Sequence, residues 1–295
     1  MTDTCRYRIV HRTVYRYSDP VTSSYGRGYL TPRDTDVQRV LTTDVRVDPE
    51  PADASTGVDV WGNRDLYFHV TQPHDTLVVT AESEVEVAGS PAVGAADVAW
   101  ETARPDDSVG ALAVDFVLDL EPPEIDAAVI AYAAPSFPPG RPLREAVVDL
   151  THRIFTDFTY CSGSTLVSTR VAEVLASRSG VCQDFARLAI ACLRANGLAA
   201  RYVSGYLATD PPPGKERMVG VDATHAWAAV WMPGDVWLAF DPTNDQLVDE
   251  RYTTVAWGRD YADVPPLRGV IYTEAKDSTI EVSVDVAPVP GDADA

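Results

Sequence analysis

The chain has 295 residues, 45% of them hydrophobic and 23% charged, with a formal net charge of -20. That length and composition fit a globular protein with two domains, or one domain with a large appendage. The acidity excludes nucleic acid and anionic membrane as partners, because phosphate binding needs clustered cations.

No run of about 18 apolar residues marks a membrane span, and the opening MTDTCRYRIV lacks the apolar core of a secretory signal. The expected location is therefore cytoplasmic. Cys5, Cys161, Cys182 and Cys192 form no C-x-x-C pair, and the five histidines are scattered at 11, 69, 74, 152 and 225. Neither H-E-x-x-H nor an EF-hand loop occurs, so no metal and no cofactor is expected.

Residues 4–17 alternate as a strand, with Tyr7, Ile9, His11, Thr13, Tyr15 and Tyr17 on one side. Further strand-like runs cover 37–47, 65–71, 76–81 and 83–87, parted by the turns TPRD, DPEPAD and WGN. They predict an antiparallel β domain over residues 1–92. His11, His69 and His74 read as ordinary strand or loop residues. From 93 the text turns Ala-rich and helical. Helices are expected over 122–135, over 143–158 and over 171–179, the second carrying Leu143, Val147, Leu150, Ile154 and Phe158 at spacings of 3 and 4. His152, on that second helix, reads as surface or packing.

The stretch 178–206, RSGVCQDFARLAIACLRANGLAARYVSGY, organises the rest. Phe185, Leu188, Ala189 and Cys192 fall at i, i+3, i+4 and i+7, which predicts a helix with one core-directed face. Gly197 stops that helix, and 201–206 reads as a strand. Cys182 opens the helix, where unpaired N–H groups and the positive end of the macrodipole favour the nucleophilic thiolate. Gly180 lets the preceding loop come close to another backbone or a substrate.

The prolines of DPPPGKE (210–216) predict a surface loop. The runs 224–232 and 236–241, joined by Pro233-Gly234-Asp235, predict a hairpin with His225, Trp227, Ala229 and Trp231 on one face. Residues 251–272 are aromatic and turn-rich, 278–286 could form a last strand, and 287–295 read as a disordered tail.

Antiparallel pairing in the hairpin brings His225, at the start of one strand, beside Asp241, at the end of the next. A histidine in a Trp-rich strand is ordinarily a packed residue, and an aspartate before Pro-Thr-Asn ordinarily a turn former. Joined to a cysteine at a helix N-terminus they match what thiol acyl chemistry requires: a nucleophile, a proton carrier and a group that orients the carrier.

GVCQDFARLAIACLRANGLAARYVSGY, DATHAWAAVW and AFDPTND together resemble the transglutaminase-like superfamily of papain-type cysteine enzymes. HRTVYRYSDPV, LTPR and DVWGN resemble the N-terminal region of its bacterial branch, and VAWGRDYADVPPLRG (255–269) resembles the segment that branch carries after its aspartate. The resemblance implies an α+β fold. Its papain-like core has the Cys helix packed on an antiparallel sheet that bears His and Asp, preceded by the β domain, so that 93–286 is the catalytic domain. It makes Cys182 the nucleophile, His225 the general base and acid, and Asp241 the orienting carboxylate. The Cys182 backbone N–H, with Tyr160 of the FTY motif as second donor, would hold the oxyanion.

Two departures stand out: Ala229 replaces a glutamate frequent in the branch, and GDVW replaces the usual G-x-G-W turn. Asp184 reads as structural or peripheral to the site, and Cys192 as core. The implied activity is acyl transfer from an amide of a peptide or protein substrate through a Cys182 thioester. Water would resolve it in a peptidase or amidase, an amine in a transglutaminase. A non-catalytic binding module of the same fold is the alternative. An acyl-carrier transferase would need a basic groove, which the acidic composition disfavours. Oligomeric state is not legible in these residues.

Overall fold

The computed structural model describes residues 4–89, 97–105, 111–209 and 224–289. The expected loop at 210–216, the composition change at 93 and most of the expected disordered tail lie outside the described residues.

The first five strands are β1 (Thr4–Gly28), β2 (Gln38–Asp48), β3 (Asp53–Val58), β4 (Arg64–Val70) and β5 (His74–Ala88). They form one antiparallel sheet in the order β2-β5-β1-β4-β3. β5 is continuous where two runs were expected, because the alternation that buries Leu77, Val79, Ala81, Ser83, Val85 and Val87 passes unbroken through Glu82. β3 lies within and beyond the predicted DPEPAD turn. All its residues are exposed at the sheet edge, so no apolar alternation announces it.

The helices are α1 (Ala111–Asp115), α2 (Ala127–Ala133), α3 (Leu143–Asp157), α4 (Val171–Ser177) and α5 (Cys182–Ala195). α2 starts later than 122 because the Asp126 carboxylate accepts from the Ala128 and Val129 N–H groups and so caps it there. Between helices, β6 (Thr159–Tyr160) and β7 (Ser179–Gly180) pair in parallel. That pairing ties the FTY motif to the loop before Cys182.

The second sheet contains β8 (Ala200–Leu207), β9 (Thr224–Met232), β10 (Val236–Asp241), β11 (Gln246–Leu247) and β12 (Tyr252–Gly258), in the order β11-β10-β9-β8-β12. β9 is buried on both faces. Ala226, Ala228, Val230 and Met232 join the cluster built around α5, while Trp227 and Ala229 join Val203 and Tyr252 on the far side.

α5 is buried more fully than one apolar face requires, since Ala186, Ile190 and Leu193 are also buried. Its polar positions are satisfied inside the fold. Arg187 Nε donates to Asp260 at 2.7 Å and its Nη1 to the Thr169 carbonyl at 2.6 Å. Arg194 donates to the carbonyls of Phe116, Ala200 and Arg259. Gly197, just beyond the helix, takes φ +75, the left-handed conformation a helix stop uses.

The last two strands, β13 (Arg268–Thr273) and β14 (Ser278–Pro288), return to the first sheet. Both pair with β1, β14 through Tyr7–Tyr17 and β13 through Val21–Arg27. Residues 278–286, grouped with the second region on sequence, therefore hydrogen-bond within the first. Tyr7, Ile9, Val85, Val87, Val284 and Val286 share one hydrophobic cluster with α3, α5, β8 and β9, so burial of apolar surface holds the two regions together.

Candidate active site

His225 begins the second position of β9 and Asp241 ends β10. The imidazole Nε2 lies 2.7 Å from Asp241 Oδ2. Asp241 is fully buried and accepts from four groups in all. Tyr252 Oη donates to Oδ2 at 2.7 Å and Asn244 Nδ2 to the same oxygen at 2.6 Å. The Thr243 backbone N–H donates to Oδ1 at 2.8 Å. Gln246 in turn donates to the Tyr252 hydroxyl.

Burial disfavours ionisation of both partners. For Asp241, the hydrogen bonds and charge of His225, with Asn244 and Tyr252, outweigh that penalty and hold the carboxyl below its ordinary value. For His225, burial likewise opposes the imidazolium, but the hydrogen bond to Asp241, its charge and the nearby Cys182 sulfur push the pKa up to about 10. With Nε2 committed to Asp241, Nδ1 is the nitrogen free to exchange a proton with sulfur.

Cys182 is partly buried and opens α5. As the first helical residue, its backbone N–H has no acceptor within the helix. Tyr160, on β6, is exposed. Burial of its hydroxyl, and then the charge of Cys182, raise its pKa, so the phenol keeps its proton at neutral pH. Its ring centroid is 6.5 Å from that of Phe185 on α5. The four residues singled out in the sequence thus lie on the N-terminus of α5, the adjoining β6–β7 pair and the neighbouring end of the second sheet.

Gly180 comes close to another backbone as expected, its carbonyl accepting from the Cys161 N–H at 2.9 Å, and it has a second use. A Cβ there would lie 2.9 Å from Asp184 Cβ and Oδ2, so the vacant space is filled by that side chain. Asp184 is buried and accepts from the Val181 N–H at 2.8 Å and the Thr165 hydroxyl at 2.7 Å, bracing the start of α5. Cys192 is wholly buried, and burial pushes its thiol up to about 12.

His11, His69 and His74 each hydrogen-bond to hydroxyls or carbonyls in and around the first sheet, and exposed His152 pairs with Asp245 at 2.8 Å. Tyr252 and Asn244 carried no sequence signal of their own. Asn244 follows Asp241 by three residues in a turn-forming run, whereas Tyr252 arrives from β12 at the opposite edge of the sheet.

Among the described residues, no cluster of three metal-binding side chains occurs and no helix is long and apolar enough to cross a membrane.

A profile of the Bacterial transglutaminase-like N-terminal region matches residues 7–86, and one of the Transglutaminase-like superfamily matches residues 132–242. An uncharacterized protein of Mycobacterium tuberculosis is 63% identical, the alignment covering 99% of this chain and 96% of the relative. One of Mycobacterium leprae is 34% identical over 95% and 98%. A 76-residue segment, 25% of this chain, is 40% identical to the protein-glutamine gamma-glutamyltransferase of Pseudomonas aeruginosa, of which it covers 11%. The crystal structure of a candidate cysteine protease from Cytophaga hutchinsonii superposes with a TM-score of 0.77 at 19% identity, covering 99% of this chain and 93% of that one, which establishes a shared fold. By these matches the chain belongs to the transglutaminase-like superfamily, in a form that carries the bacterial transglutaminase-like N-terminal region.

Proposed function

We propose that the protein is a cysteine-dependent acyl-transfer enzyme acting on amide bonds of a peptide or protein. The observation that carries this reading is the buried His225–Asp241 pair, 2.7 Å apart, whose imidazole has the Cys182 thiol as its other partner.

In this reading the Cys182 proton passes to His225 Nδ1 and the sulfur attacks the amide carbon. The carbonyl π electrons move to oxygen, where the Cys182 N–H and the Tyr160 hydroxyl would receive the developing charge. His225 then returns its proton to the departing amine as the C–N bond breaks, leaving a thioester. Water or a primary amine attacks the thioester carbon, gives its proton to His225, and releases Cys182. Asp241 stays ionised throughout and fixes the ring.

Hydrolysis is the leading outcome, because water is always present. The segment match to a glutaminyl transferase supports transamidation as the second.

The experiment is iodoacetamide alkylation of native protein with peptide mapping, followed by turnover of glutaminyl peptides with and without a primary amine. Rapid labelling of Cys182 that falls in His225→Ala supports the reading. A Cys182 that reacts like an ordinary thiol in both proteins sinks it and leaves the binding-module alternative. Amine incorporation above peptide hydrolysis would make the enzyme a transglutaminase.

A further inference from the structure

On the face of the second sheet turned away from α5, a cleft of about 460 Å³ opens between that sheet and residues 34–38 and 87–88 of the first region. Neither Cys182 nor His225 is among the described residues lining it. Volumes of this order hold small-molecule ligands.

Arg201, on β8, lines the cleft. Its guanidinium carbon is 3.7 Å from the Trp257 ring centroid and 4.2 Å from that of Trp237, so the group packs against two indoles. Its Nε is buried and has no acceptor. Among the described residues no carboxylate pairs with it, and the charge that acts on it is the like charge of Arg33, itself 3.3 Å from the Trp257 centroid.

The more fully buried arginines differ. Arg187 holds Asp260 and Glu124, and Arg194 holds three carbonyls. Arg201 is partly buried, and its buried Nε without an oxygen partner is costly, while packing against indoles leaves the in-plane Nη donors, which match a carboxylate in geometry.

The rest of the lining narrows the ligand. Val236, Ala239 and Val248 offer apolar wall. Asp34 and Asp249 are paired with Arg64 and Arg251, and Asp36 and Asp235 at the rim disfavour a dianion. We propose that this cleft binds a monocarboxylate with an apolar body, its carboxylate on Arg201 and its body against Ala239 and Val248. A free hydrophobic acid and the carboxy-terminal residue of a peptide share that chemistry.

The test is calorimetric titration of the full chain at pH 7 with N-acetyl-L-phenylalanine and with its carboxamide. The acid should bind saturably and the carboxamide at least about tenfold more weakly, the value of one lost charge-assisted hydrogen bond. Arg201→Met should abolish that preference, and Ala239→Phe, which fills the cleft from β10, should weaken the acid by at least about tenfold. If Arg201→Met does not fold, the acid–carboxamide difference and Ala239→Phe decide alone.

Equal affinity for acid and carboxamide, a preference that survives Arg201→Met, or no saturable binding of either at millimolar concentration overturns the proposal. 3-Phenylpropionate separates the sources. Weaker binding than N-acetyl-L-phenylalanine assigns the cleft to a peptide terminus, and equal binding assigns it to a free acid.

Discussion

Each sheet shields a histidine from water, His11 in the first and His225 in the second, and they treat it in opposite ways. His11, on β1, is shielded from water and bonded to the neutral hydroxyls of Tyr206 and Thr13, so burial pushes its pKa down to about 4. His225, on β9, meets the same penalty but faces the Asp241 carboxylate and the Cys182 thiol, and its pKa rises to about 10. Burial alone therefore does not set the charge of an imidazole in this molecule; the partner does. A hydroxyl pair leaves His11 neutral, and an anion holds the proton on His225.

The largest effects should come from breaking the second arrangement. His225→Ala should lower turnover of an amide substrate by on the order of 10²–10⁴, measured as initial rate, while His11→Ala leaves that rate within a few-fold. Tyr160→Phe comes next. Removing one oxyanion donor should cost about 10²–10³ in kcat, and a rate within a few-fold of wild type would limit Tyr160 to packing beside Phe185.

Tyr252→Phe removes one of the hydrogen bonds to the Asp241 carboxylate and should destabilise the fold by about 1.5–3 kcal/mol, read from urea unfolding. The pH dependences should sharpen the contrast further. The folded-state value for His225 lies above the ordinary 6.5. The stability it contributes is therefore complete below about pH 6.5 and is lost as pH rises toward about 10. His11 lies below 6.5, so its environment costs stability as pH falls from about 6.5 toward 4. Melting curves of His225→Gln and His11→Gln should accordingly differ from wild type in opposite limbs, the first losing alkaline sensitivity and the second acid sensitivity. The smallest effect belongs to Arg6→Ala, which breaks an exposed pair with Glu84 and should change stability by about 0–1 kcal/mol.

What was legible in the sequence was local. The α5 pattern, the 224–241 hairpin and the cross-strand meeting of His225 with Asp241 depend on spacings of a few residues and on one short turn. The structure reproduces each within a residue or two. What was hidden was assembled from afar. Tyr252 reaches Asp241 from the other edge of a five-stranded sheet, and no periodicity encodes which edge strand will face which carboxylate. Edge strand β3 lacks buried residues and so lacks a pattern. The single core-directed face read for α5 understated its burial, because carbonyls and acids from distant segments satisfy the charged Arg187 and Arg194 inside the fold.

The return of β14 to β1 also governs the order in which the protein can take shape during synthesis. The N-terminal half of β1 lies between β5 and β14, and the latter pairing joins Tyr7 to Pro288. On a ribosome, β1, β2, β4 and β5 can pair early, but one flank of β1 stays open until residues 278–288 have emerged. An open strand flank is a template for pairing with another chain, and contacts so far apart in sequence close slowly. The nascent protein must therefore carry an unfinished sheet throughout translation of the segment that bears Cys182, His225 and Asp241, and β14, made after that segment, is the strand that seals it.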